Sequence, residues 1–147
     1  MIWKPNVTVA AVIEINGRFL LVEEKVDSGA FLNQPAGHLE ANETILQGVV
    51  RETLEETGYE FSPQSLVGIY RWRHLGKNVT YLRFTFCGDA MAHDRVRQLD
   101  EGIIAARWMT YDEVVRETPR HRSPMVLRCI DDYLAGRRYP LDILTHL

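Results

Sequence analysis

Cysteine is scarce in this chain of 147 residues: Cys87 and Cys129 are the only two, far apart and without metal-ligand spacing. That excludes a disulfide-framed scaffold and a cysteine-built zinc site, and it fits reduced thiols in a cytoplasmic protein. A basic surplus is missing too. Seventeen Lys and Arg stand against twenty Asp and Glu, a net charge of −3, which argues against a nucleic-acid polymer as partner. An anionic substrate would then need local positive charge, from arginines or from a metal. Long apolar runs are lacking: the N-terminal stretch Val9 to Ile13 ends at Glu14, too short to cross a bilayer. No secretory signal, internal repeat, low-complexity tract or linker is visible, so the expectation is a cytoplasmic protein with no membrane partner. The five histidines contain no pair at metal spacing.

What remains is an ordinary globule, 46% hydrophobic and 25% charged, of a length that suits one domain over residues 1–147. One stretch departs from the ordinary. From Gly37 to Tyr59 the chain reads as a turn, a helix and a glycine stop. Asn42 is placed to cap the helix, Glu43 suits the positive end of its dipole, and Gly58 falls just past its end. Leu46, Val49, Val50 and Thr53 form an apolar stripe. Glu52, Glu55 and Glu56, at i, i+3 and i+4, share an arc away from that stripe. No lysine is interleaved among them. The one cation, Arg51, is expected to turn away from the arc and meet Glu43. Such a cluster is either a solvated acidic face or a cradle for a hard divalent cation, for which oxygen-only ligands favour Mg²⁺ or Mn²⁺.

Spacing adds to this. Gly37, Glu43, Arg51, Glu52, Glu55, Glu56 and Gly58 fill every fixed position of Gly-x5-Glu-x7-Arg-Glu-U-x-Glu-Glu-x-Gly-U, where U is bulky and apolar. Thr53 and Tyr59 occupy the two U positions. The pattern resembles the Nudix box, over residues 37–59, and the chain is thereby similar to the Nudix hydrolases. The resemblance implies an α/β (α+β) Nudix fold: a mixed, mainly antiparallel β-sheet sandwiched between helices. It implies an enzyme that hydrolyses a phosphoanhydride with Mg²⁺, or Mn²⁺ as substitute. In that reading Glu52 and Glu56 hold metal from adjacent turns, Glu55 is a further ligand, and the Gly37 carbonyl completes the site. Glu43 and Arg51 brace the turn against the helix. The base is Glu52, or Glu101 from the loop before the last strand, where Asp100 is also a candidate by position to reach the metal or the water.

Elsewhere, Val7 to Ile15 and Arg18 to Glu23 read as strands joined by the hairpin signal Asn16-Gly17. Glu23 to Gly29 reads as a polar loop, and Phe61-Ser62-Pro63 as a connector. Leu66 to Leu75 and Val79 to Gly88 read as a second hairpin, with Leu82, Phe84 and Phe86 on its core face and Arg83 opposite. Arginines beside aromatics suit a phosphorylated ring-bearing substrate, so Arg83, Trp72 and Arg71 are candidate binding residues. Thr110 to Glu113 is a capping box, and Ser123-Pro124 opens a last helix.

Flanking segments, among them Leu32 to Glu40, Arg122-Ser123-Pro124 and Gly136 to Leu141, resemble one bacterial phosphatase branch of the family. That branch implies nucleoside tri- and diphosphates and hydroxymethylpyrimidine pyrophosphate as small-molecule substrates, with inorganic phosphate released. Dinucleoside polyphosphates or nucleotide sugars, a silent nucleotide-binding module, and an isomerase of prenyl diphosphates are the alternatives. The expected oligomeric state is a monomer.

Overall fold

The computed structural model describes residues 1–147. Its eight strands fall into two sheets. The first runs β5 (Ala36–His38), β1 (Asn6–Val12), β7 (Val79–His93), β6 (Tyr59–His74). The β1–β7 pair is parallel and its other pairs are antiparallel. The second is built on β3 (Arg18–Val26), which pairs antiparallel with β2 (Glu14–Ile15), β4 (Gly29–Asn33) and β8 (Ile103–Thr110). The mixed, mainly antiparallel character expected from the sequence is present, divided between these two sheets.

Helices cover both faces of the first sheet where its central strands present apolar residues. On one side Val9, Ala11, Ile13 and Phe86 pack with Leu20, Phe61 and Val49 of α1 (Ile45–Thr57). On the other, Val12 and Cys87 join Leu32, Val114 of α2 (Tyr111–Arg116), and Cys129 and Ile130 of α3 (Met125–Leu134). Alternate residues of one strand thus feed two separate cores.

Local signals behave as their chemistry requires. Asn16 and Gly17 both take positive φ, 51° and 77°, closing the β2–β3 hairpin in the primed sense that strand twist favours. Thr110 and Glu113 exchange side-chain and backbone hydrogen bonds at the start of α2.

Three expectations need correction. Glu23 to Gly29 is not a loop: β3 continues to Val26 and turns tightly through Asp27 into β4. Its charged residues hid the strand because several of them face partners, Glu24 opposite Arg122 and Glu23 against Arg120. Phe61-Ser62-Pro63 lies inside β6, where an edge position and flanking bulges accommodate the proline's missing donor. Finally, the face of β7 opposite Phe84 and Phe86 is buried as well. Along the middle of the strand Arg83, Thr85 and Cys87 are covered, and Arg83 is more deeply buried than Phe84.

Candidate active site

α1 starts later than expected. Its cap is Thr44, not Asn42: the Thr44 hydroxyl accepts from the Gln47 N–H at 3.1 Å, and the Gln47 side chain accepts from the Thr44 N–H at 2.9 Å. Glu43 is thereby freed from capping. It takes two bonds from Arg51, Nε to Oε1 at 2.7 Å and a terminal nitrogen to Oε2 at 2.9 Å. That guanidinium holds the Glu43 carboxyl below the usual carboxylate range. At the other end Gly58 takes φ 76°, and its N–H closes on the Leu54 carbonyl.

Arg51 does not turn away from the acidic arc. One terminal nitrogen donates to Glu52 Oε1 at 2.8 Å and to Glu55 Oε2 at 3.1 Å, and the other reaches the His38 carbonyl at 3.1 Å. Five hydrogen-bonded acceptors in one fork tie the helix to the turn before it. Donating to Glu43 first, then to Glu52, keeps its own pKa above the ordinary arginine value.

Glu52 and Glu56 are buried, on the side where α1 meets β5. Gly37 explains how they fit. A Cβ at position 37 would overlap the Glu52 carboxylate, so glycine lets that carboxylate sit where it does and a larger residue would push it aside. The Glu56 carboxylate accepts from the Ala36 N–H at 2.9 Å and touches no cation. Burial pushes its carboxyl up to about 9, with Glu52, Glu24 and Asp100 adding repulsion. Burial also raises Glu52, opposed by Arg51, and Glu24, opposed by Arg122.

Carboxylate oxygens of Glu52, Glu55 and Asp100 lie within 4.8 Å of one another. An all-oxygen group of this kind, beside a buried carboxylate with no counter-charge, fits a hard divalent cation. Asp100, not Glu101, is the loop acid in this group. The Asp100 N–H donates to the Glu55 carbonyl at 3.0 Å, which pins the loop to α1, while Glu101 is exposed and outside the group.

A cleft of about 360 Å³ opens beside these acids, lined by Gly37, Glu52 and Glu56 together with Glu24, Trp72 and Arg83. Arg83 is 3% exposed. Its terminal nitrogens donate to Gln34 Oε1 and Asn33 Oδ1, each at 2.9 Å, so the fork expected to grip phosphate is already occupied. Its Nε has no partner, nor has the Thr8 hydroxyl on the neighbouring strand. Arg71 is not brought to this cleft. It is exposed and borders a separate depression of about 650 Å³ with Arg128 and Arg137, on which Trp72 also borders.

Sequence reading missed Glu24, Asp100's precedence over Glu101, and Thr8. Only the two-residue spacing of Val22, Glu24 and Val26, which puts them on one face of an extended chain, hinted that its stretch was strand.

The chain matches the family model described as the NUDIX domain over residues 3–128. It is 39% identical over 142 residues to the Phosphatase NudJ of Escherichia coli strain K12, covering 97% of this chain and 92% of that one. A solved NUDIX hydrolase from Nitrosomonas europaea is 53% identical and superposes with a TM-score of 0.96, covering 98% of each chain. A MutT NUDIX hydrolase from Burkholderia pseudomallei shares the fold, with a TM-score of 0.74 at 19% identity over 88% of this chain and 98% of that one. With its box intact and its carboxylates gathered at one end of α1, the chain belongs to the Nudix family and is a hydrolase acting on phosphoanhydrides.

Proposed function

We infer that the protein is a Mg²⁺-dependent phosphohydrolase of nucleoside tri- and diphosphates and of hydroxymethylpyrimidine pyrophosphate, releasing inorganic phosphate. The observation that carries the cation is the buried Glu56 carboxylate, without a positive partner, beside the Glu52, Glu55 and Asp100 oxygens. The substrates follow the bacterial phosphatase branch that the flanking segments resemble.

Glu52, Glu55 and Glu56 would hold the metal, with the Gly37 carbonyl at its edge. Mg²⁺ supplies counter-charge for phosphoryl oxygens and lowers the pKa of an attacking water. The remaining work belongs to the chain. Arg51 fixes Glu52 and Glu55 in position and keeps their charges tolerable together. Glu52 or Asp100 accepts the proton of the attacking water; Asp100 takes the place first assigned to Glu101. Glu43 acts only through Arg51.

The test is a screen for phosphate and pyrophosphate release over nucleotides, thiamine precursors, dinucleoside polyphosphates and nucleotide sugars, with and without Mg²⁺. The expected result is phosphate from nucleoside di- and triphosphates and from the pyrimidine pyrophosphate, only with the cation. Turnover confined to dinucleoside polyphosphates or nucleotide sugars would overturn the substrate assignment.

A further inference from the structure

β6 is an edge strand of the first sheet. Outside it the chain returns after α3 and pairs with it at one point, Leu66 with Tyr139, through two backbone bonds of 2.9 and 2.8 Å. The depression of about 650 Å³ lies between this edge, α3 and the returning segment. Two features that the acidic cleft leaves unused meet there: Arg71, and the segment Gly136 to Leu141. Asp132 organises the place. It is 6% exposed, and it accepts from the Tyr70 hydroxyl at 2.8 Å and from Arg128 Nε at 3.1 Å. Arg137 is brought alongside, its Nε 3.7 Å from the same carboxylate and its backbone N–H on the Asp132 carbonyl. Both guanidiniums thus turn Nε inward, and their terminal nitrogens meet no protein acceptor. Arg71 borders the depression without a hydrogen bond or ion pair of its own. Most of the remaining wall is apolar, and Ile69, Tyr139 and Ile143 are left 52%, 43% and 58% exposed.

We propose that this depression is a second ligand site, apart from the acidic cleft, for a small organic oxyanion: one phosphate or carboxylate group on an apolar body. Charge complementarity argues for the head group. Three guanidiniums border the depression against one carboxylate, in a chain whose net charge is −3. Free guanidinium forks match phosphate and carboxylate oxygens in geometry as well as charge. The exposed apolar wall argues for the body. Inorganic phosphate would answer the arginines and leave Ile69, Tyr139 and Ile143 in water. A neutral apolar molecule would cover those residues and strip water from the arginines without replacing it. An oxyanion on an apolar body meets both, and the volume is that of a small-molecule site. Asp132 is a mount here, not a competitor: Tyr70 and the Nε atoms occupy it, which leaves the forks free. The proposal goes beyond the phosphohydrolase reading and does not depend on it.

Calorimetry on the full chain with phenyl phosphate, inorganic phosphate and phenol, each with Mg²⁺ and with a chelator, tests this. None of the three holds a phosphoanhydride, so none is consumed by the proposed activity. Trp72 and Met125 border both the depression and the acidic cleft, and the cation tells the two apart. A phosphate at the carboxylates needs Mg²⁺ between them, whereas one at the arginines does not. Phenyl phosphate should bind in chelator with a Kd on the order of 1 mM or tighter, and about tenfold or more tighter than either fragment. Arg71→Gln should weaken it about threefold, as loss of one exposed ion pair does. Ile69→Glu, which sets a carboxylate at the rim, should weaken it about tenfold or more and leave nucleotide turnover unchanged. Both positions are exposed and clear of the Asp132 network, and circular dichroism confirms the fold. Binding of phenyl phosphate that required Mg²⁺, that matched inorganic phosphate in affinity, or that survived Ile69→Glu would overturn the proposal, as would no saturable binding at all. Loss of all nucleotide hydrolysis in the screen, with this binding intact, would sink the phosphohydrolase reading and leave the second site standing.

Discussion

Glu56 is the least compensated buried carboxyl beside the molecule's acidic group. Arg51 serves Glu43, Glu52 and Glu55, and Arg122 serves Glu24, but Glu56 has only the Ala36 N–H. A glutamine there keeps the size and can still accept that bond, yet offers a cation no charge. Glu56→Gln should therefore lower Mg²⁺-dependent turnover by about 100-fold or more, since even loss of an outer partner of a metal ligand commonly costs 10–100-fold. Steady-state phosphate release, with circular dichroism to confirm the fold, checks it. Gly37→Ala attacks the same carboxylate pair by space instead of charge. Its methyl would displace Glu52, so activity should fall sharply while the β1–β5 pairing, which alanine tolerates, persists. The loop acids separate in a similar way. Asp100→Asn should reduce turnover by about tenfold or more, and Glu101→Gln by no more than about twofold, read as kcat/KM.

At the scale of elements, α1 shows why some of the site was legible and some was not. Glu52, Glu55, Glu56 and Arg51 lie within one and a half turns, so helix periodicity alone puts them together. The helix start was less legible because Asn42, Glu43 and Thr44 are all plausible near a cap. Two competing facts decided it: Gln47 stands three residues after Thr44, completing the reciprocal box, and Glu43 is engaged by Arg51. Thr44→Ala should destabilise the protein by about 1 kcal/mol and Asn42→Ala by little, measured by urea denaturation. Equal losses would place the cap elsewhere. Thr53, at a position the motif reserves for an apolar residue, is tolerated because its hydroxyl bonds the Val49 carbonyl at 2.8 Å within its own helix. Glu24, Thr8 and Asp100 belong to the other case. Glu24 and Thr8 reach the cleft through strand register and Asp100 reaches Glu52 and Glu55 through loop closure, and neither route is written in local spacing. Arg71 and Arg83 illustrate the same point from opposite sides. Alternation along a strand separates faces correctly, but which face meets the acids depends on β5 docking beside β1, far from either arginine in the chain.

For the whole molecule, the cleft's charge links stability to pH and to divalent cations. The folded state raises Glu56 from an ordinary value near 4.5 to about 9, so the folded chain binds more protons than the unfolded chain between those values. Stability from this group is then fully present below about 4.5 and is lost as pH rises through 9. Glu52 and Glu24 shift in the same direction. With a chelator present, the thermal midpoint should fall from pH 6 to pH 9. Glu56→Gln, which has no such proton to lose, should flatten that decline and melt higher than the wild type at pH 9. A cation held by the cluster reverses the logic, because it favours the ionised carboxylates that burial disfavours. Mg²⁺ should raise the wild-type midpoint, and by more at pH 8.5 than at pH 6, because fewer protons must be displaced. Differential scanning calorimetry across that range, wild type against Glu56→Gln, reads both effects. A Mg²⁺ increment that shrank with rising pH, or one equally large in Glu56→Gln, would place the ion somewhere other than beside this carboxylate.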